Sequence, residues 1–192
     1  MQLDYFVLER AGPSNYPLLE WDALYWGFGK PQPVAIKEPV RLRLGDPVPR
    51  KPVMVDHHSL PEPVISTRLK EVLEPLELFG VQFVPADVKV REGEVLRYWL
   101  VHVYNEISCL DRQQAKFTTL PSGRIFDFDR LVLDEKVLGE IPLERRRVFI
   151  LAEWRSAYLF HRSIVEKVLA LQPEGLRFFR VDEWSDSAGF RP

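Results

Sequence analysis

Val81-Gln82-Phe83-Val84-Pro85-Ala86-Asp87-Val88-Lys89-Val90 is followed, across Arg91-Glu92-Gly93-Glu94, by Leu96-Arg97-Tyr98-Trp99-Leu100-Val101-His102-Val103-Tyr104. Both runs are rich in β-branched and aromatic side chains, which fit a pleated surface, and the gap with its glycine has hairpin length. The pair reads as two neighbouring antiparallel strands. Around it, strands and helices alternate at hairpin-length spacing rather than as strict strand–helix–strand units. The expected class is therefore α+β: a mostly antiparallel sheet, two main helices and an extended proline-rich N-terminal wrap.

Working outward, Ser66 is a candidate N-cap for a helix over 67–79, with Leu69, Val72, Leu73, Leu76 and Phe79 on one face. Pro75 must kink or divide it, and Gly80 stops it. Further strands are expected near 125–128, 130–133 and 147–151. The clearest helix spans 154–172, where Ala157, Phe160, Ile164, Val165, Val168 and Leu171 recur at three- and four-residue spacing. Pro173 and Gly175 end it, and 176–181 returns as a strand.

On the N-terminal side, 3–8 reads as an opening strand. Residues 12–33 are irregular, with four prolines and the aromatics Tyr16, Trp21, Tyr25, Trp26 and Phe28. So many aromatics suit an ordered loop held on the core rather than a linker. Pro39-Val40-Arg41-Leu42-Arg43-Leu44 alternates apolar and basic residues, as a half-exposed edge strand does. Pro52-Val53-Met54-Val55-Asp56 is a short strand or an extended segment. Ten of the 16 prolines fall between Pro13 and Pro63. The expected organisation is one domain over 1–192, with the extended region at 1–63 and the α+β body at 64–192.

Composition excludes several classes of function. The chain has 192 residues, 46% hydrophobic and 12% aromatic, which is too much apolar material for a disordered protein. One cysteine leaves no disulfide scaffold and no cysteine-based metal cluster. With 26 Lys+Arg against 28 Asp+Glu the net charge is −2, so no global field favours nucleic acid. No run of apolar residues is long enough to span a membrane, and the first residues lack the pattern of a secretory signal, so a cytoplasmic location is expected.

Val53-Met54-Val55-Asp56-His57-His58 is the most chemically suggestive segment. An apolar run ending in Asp-His-His resembles the name-giving motif of the DHH phosphoesterases, in which such side chains sit at a two-metal centre. No His-x-x-x-Asp-x-Asp pattern precedes Asp56 and no glycine-rich motif follows, so a surface turn with adjacent imidazoles is the expectation. His102 in its apolar strand suits a hydrogen-bonded structural histidine, and His161 a partly exposed helix face. Cys109 reads as a core residue. No nucleophile elbow, phosphate loop or dinucleotide fingerprint occurs. Catalytic residues, cofactor and metal are all expected to be none.

Carboxylates gather at Asp127-Phe128-Asp129 and Asp134-Glu135, and again at Asp182, Glu183 and Asp186. On a strand Asp127 and Asp129 share one face. Such a pair would serve as a general acid and base, an ion site, an acidic patch for a basic partner, or simply a solvated outer face with Phe128 turned inward. Arg145-Arg146-Arg147 is too short and isolated for a nucleic-acid channel.

The order of segments carries further information. Asp56 precedes Pro63-Val64-Ile65-Ser66 and its short helix, and the strand pair follows. Next come Cys109-Leu110-Asp111, Leu131-Val132-Leu133-Asp134 and Val148-Phe149-Ile150-Leu151-Ala152-Glu153, then Gly175-Leu176-Arg177-Phe178. This order resembles the bacterial immunity protein eleven family, formerly a domain of unknown function, over roughly residues 50–180. One departure is that Arg112-Gln113-Gln114-Ala115 follows the Leu-Asp pair, where the family tends to place a serine.

The resemblance implies a bacterial protein that binds and neutralises a cognate polymorphic toxin by occlusion. Candidate partner-binding residues are the aromatics Trp21, Tyr25, Trp26 and Trp184 and the acidic Asp127, Asp129 and Asp134. The partner implied is a protein toxin, with neither nucleic acid nor membrane. Two alternatives remain at this stage: a metal-dependent phosphoesterase-like hydrolase using Asp56, His57 and His58, and a non-enzymatic adaptor.

Overall fold

The computed structural model describes residues 1–23, 25 and 27–187. In chain order its strands and helices are β1 (Tyr5–Arg10), β2 (Leu19–Trp21), β3 (Val40–Leu44), β4 (His57–His58), β5 (Val64–Ile65), α1 (Thr67–Leu73), β6 (Val81–Arg91), β7 (Glu94–Val103), β8 (Glu106–Ile107), β9 (Lys116–Thr119), β10 (Ile125–Arg130), α2 (Glu135–Glu140), β11 (Val148–Leu151), β12 (Trp154–His161), α3 (Arg162–Leu169) and β13 (Leu176–Arg180). The fold is mainly sheet, of α+β class.

β6 and β7 form the expected hairpin, in register from Val81 opposite Val103 to Arg91 opposite Glu94. Gly93 takes the positive φ of 75° that the tight turn requires. Around this pair grows a six-stranded sheet in the order β2-β3-β6-β7-β5-β4. β3 is therefore an interior strand and not the expected edge. It lies parallel to β6, with β2 antiparallel on its other side. Its alternation arises because Val40, Leu42 and Leu44 turn into a core while Arg41 and Arg43 face water.

The second sheet runs β13-β1-β12-β11-β8, and β9 with β10 forms a separate two-stranded sheet. β11 and β8 are parallel, so both large sheets are mixed. β1 begins at Tyr5, because residues 2–4 form a 3-10 turn where the opening strand was expected to start.

The clearest expected helix is half strand. Residues 154–161 are β12, and only 162–169 are helical. β12 is central, between β1 and β11, and both of its faces are covered. Ala157 and Leu159 join one core cluster while Phe160 joins another. A strand buried on both sides loses its polar alternation, and its apolar positions then match a helical stripe.

Among the described residues three apolar clusters hold these layers. One gathers Tyr5, Phe128, Leu133, Leu138, Phe149, Leu159 and Trp184. A second joins Leu19, Phe28, Val34 and Val40 to Val84, Ala86, Val88 and Leu100. The third brings Val101 and Val103 of β7, Val148 and Ile150 of β11 and Phe160 of β12 under α1 and α3, at the seam between the large sheets. α1 is capped by Ser66, which accepts from Leu69 N–H, and gives way at Glu74–Leu76 to a 3-10 turn containing Pro75. Phe79 is 47% exposed and not on the inward face expected of it. Residues 131–133 are buried but form no strand, pairing only through a bridge from Leu133 to Leu110.

α2 is a further helix, beyond the two expected. Asp134 caps it, its carboxylate accepting from the N–H groups of Lys136 and Val137. Among the described residues no helix is long and apolar enough to cross a membrane.

Candidate functional site

Asp56, His57 and His58 sit where an extended segment enters β4, and all three are occupied by the fold. His57 and His58 are each 2% exposed, so the expected surface turn is corrected to a buried one. His57 Nδ1 donates to the Gly175 carbonyl at 3.0 Å, and His58 Nδ1 donates to the Pro17 carbonyl at 2.8 Å. Burial pushes His57 down to about 4 and also lowers His58, so both rings are neutral near pH 7.

Asp56 has partners of its own. It takes a bidentate pair of bonds from Arg68, at 3.2 and 2.5 Å, and accepts from Ser66 Oγ at 2.8 Å and Glu174 N–H at 3.1 Å. Burial alone would raise this carboxyl, but the bonds from Arg68, Glu174 and Ser66 outweigh it and leave the group below its usual range. Three side chains adjacent in sequence thus become three separate ties: to α1, to the start of β13 and to the N-terminal region. Among the described residues no group of three or more His, Cys, Asp or Glu side chains is arranged to hold a metal ion.

The remaining singletons are structural. Cys109 is 2% exposed, and burial together with Glu153 and Asp134 pushes its thiol up to about 12, far from a reactive thiolate. His102 is buried, with Nε2 bonded to the Gln32 carbonyl at 2.9 Å. His161 caps α3, its Nδ1 accepting from Ser163 N–H.

The candidate partner-binding residues fall into separate places. Trp21 and Tyr25 are half-buried and pack with Phe28, at ring-centroid distances of 5.2 Å between Trp21 and Tyr25 and 5.1 Å between Trp21 and Phe28. Phe28 continues this aromatic row to His102 at 5.3 Å. The Tyr25 hydroxyl accepts from Arg41 N–H at 2.6 Å, which fixes the loop to β3. Trp26 lies outside the described residues.

Asp127 and Asp129 belong to β10, far along the chain and in another sheet. Register shifts between Ile125 and Asp127, and again between Phe128 and Arg130, break the simple two-residue alternation. Asp127 lies beside Asp186, whose carboxyl is raised first by burial and then by that neighbour. Asp134 serves as the α2 cap. Trp184 is only 3% exposed, with Nε1 donating to Glu9 at 2.8 Å, so its position is in the core beneath β10 rather than on the surface. The structure brings Trp184 and the β10 carboxylates near one another and leaves Trp21 and Tyr25 apart from them.

Sequence reading missed a cleft of about 280 Å³ at the seam of the two large sheets. One wall is the segment after β4, with Ser59, Leu60 and Glu62, and the other is the outer part of β12, with Arg155, Ser156 and Tyr158. A second depression of about 190 Å³ shares Ser59, Leu60, Ser156 and Tyr158 and runs on toward Glu9 and Arg10. Mistaking β12 for a helix concealed this wall, since only a strand projects Ser156 and Tyr158 to the same side.

A mainly sheet α+β chain with its histidines and its cysteine tied into the fold has its unclaimed chemistry on surfaces and in this cleft. The profile of the immunity protein family (Imm11) matches residues 11–182, nearly the whole chain. The chain belongs to that family. No curated protein matches it.

Proposed function

We propose that this chain is the immunity partner of a polymorphic toxin, which it neutralises by binding and covering it. The observation that carries this reading is the family match over residues 11–182. Occlusion needs a specific interface of about 800 Å² per partner, with a few aromatic anchors and complementary charge. Trp21 and Tyr25 supply half-exposed aromatic surface, and Asp127 and Asp129 supply negative charge. Asp134 and Trp184 support those surfaces through the α2 cap and the packing under β10.

In this reading residues 1–192 act as one unit in the cytoplasm, with 1–63 laid as an extended wrap against the body. Burial of Leu19, Phe28, Val34 and Val40 in one cluster with β6 and β7 supports that arrangement. The Asp56-His57-His58 set gives no support to hydrolysis, because Asp56 is saturated by Arg68, Ser66 and Glu174. Co-expression with the products of adjacent open reading frames tests the proposal. Rescue of growth from one toxic neighbour is expected, and failure to rescue from any of them overturns it.

A further inference from the structure

The seam cleft holds a carboxylate that no described cation pairs with. Glu62 accepts from the Tyr158 hydroxyl at 2.6 Å, a bond that ties the two walls together, and among the described residues no cation pairs with it. Burial, then the Glu62 carboxylate, holds Tyr158 well above its ordinary range, so the phenol stays a donor. The two arginines nearby each have a partner other than Glu62. Arg155 Nη2 pairs with Glu106 at 2.8 Å, and Arg10 Nη2 donates to the Tyr16 carbonyl at 2.6 Å.

Ser59 and Ser156 add two hydroxyls on opposite walls with no hydrogen bond to another described residue. The lining thus offers a carboxylate with no paired cation, two hydroxyls without partners and the unpartnered Nδ1 of His102, around a space of the size of a single long side chain. An anion would meet the Glu62 carboxylate, with which no described cation is paired. A cationic group carrying N–H donors meets an acceptor at each wall, and a carboxylate binds such donors more strongly than it binds neutral ones.

We propose that this cleft is a receptor for one basic side chain, arginine or lysine, presented by the bound protein. The proposal rests on the immunity reading for the identity of that protein, but the cleft's preference for a cationic donor stands by itself and is tested without the toxin.

The experiment is a titration of the ¹⁵N-labelled full chain with methylguanidinium and with butylammonium, followed by NMR. Tetramethylammonium, a cation with no N–H, is the control. Saturable shifts at Ser59, Ser156 and Tyr158 are expected with the two donors and not with the control. Glu62→Gln keeps an acceptor for Tyr158 and removes the charge, and should weaken binding at least tenfold while the rest of the spectrum is unchanged. Ser156→Trp, at an exposed position on the lip, should abolish it.

Equal shifts from tetramethylammonium, undiminished affinity in Glu62→Gln, or no saturable shift would each overturn the proposal. Failure of the immunity reading shows instead as lack of rescue on co-expression, with this titration unaffected.

Discussion

The carbonyl of Gly175 accepts from His57 Nδ1 at 3.0 Å, and the two backbones lie so close that a Cβ on Gly175 would stand 2.3 Å from the His57 carbonyl oxygen. Gly175 also holds a φ of 91°, a region open to glycine and strained for other residues. Gly175→Ala should therefore lower stability by about 2–4 kcal/mol, since neither backbone is able to move aside cheaply. Urea unfolding measures this; a loss below about 1 kcal/mol would show that the approach relaxes at little cost.

The same ring sets a pH dependence. His57 titrates at about 4 in the folded chain against an ordinary 6.5, and His58 is lowered in the same direction. A depressed histidine means that the unfolded chain binds more protons between those values, so stability rises with pH there. His57's contribution is complete above pH 6.5 and is lost as pH falls toward 4, amounting to about 3 kcal/mol for that ring. Glu9, raised by burial, acts in the opposite sense as pH rises past its unfolded value. Unfolding free energies from pH 4 to pH 7 should show a net upward slope, and His57→Gln should flatten it.

Asp56 gives a mutational test of the motif's role. Asp56→Asn weakens the pairing with Arg68 and the bonds from Ser66 and Glu174, at a cost of about 1–3 kcal/mol. Millimolar Mn²⁺ or Zn²⁺ should leave the melting temperature of the native chain unchanged. A rise in melting temperature that disappears in Asp56→Asn would instead mark a metal site.

The acidic residues should separate by position. Removing the α2 cap with Asp134→Ala should cost about 1 kcal/mol of stability and leave the rate of toxin association unchanged. Asp127→Asn with Asp129→Asn should slow association and flatten its dependence on salt, with little effect on stability. Stopped-flow mixing with the rescued toxin distinguishes the two; a wild-type rate indifferent to salt would remove steering by β10.

The sequence made β6 and β7 legible because their pairing is local, with dense β-branched residues and a short glycine turn between them. The Ser66 cap and the division of the helix at Pro75 were legible for the same reason. The parallel joining of β3 to β6 was not, since no short-range pattern encodes the direction of a distant partner. β12 carries a helix-like pattern because burial of Ala157, Leu159 and Phe160 on both sides erases the period-two signal. At the candidate site, residue types were visible but accessibility was not. Nothing local separates Trp184, deep beneath β10, from Trp21 at the margin of its cluster, and the Glu62–Tyr158 wall exists only once 96 residues have been brought back together.

β1 lies between β12 and β13, so it takes as its neighbours two strands about 150 to 170 residues later in the sequence. During synthesis residues 5–10 leave the ribosome long before residues 154–161 and 176–180 exist to receive them. The six-stranded sheet, whose strands all lie before residue 104, has no such wait. The half of the molecule around β6 and β7 can thus assemble early in translation, whereas the half containing β1 waits until β12 and β13 have been made. Fragments cut short of β12 will lack the strands that cover Tyr5 and Val7, and protection of those two residues reports when β12 and β13 have joined β1.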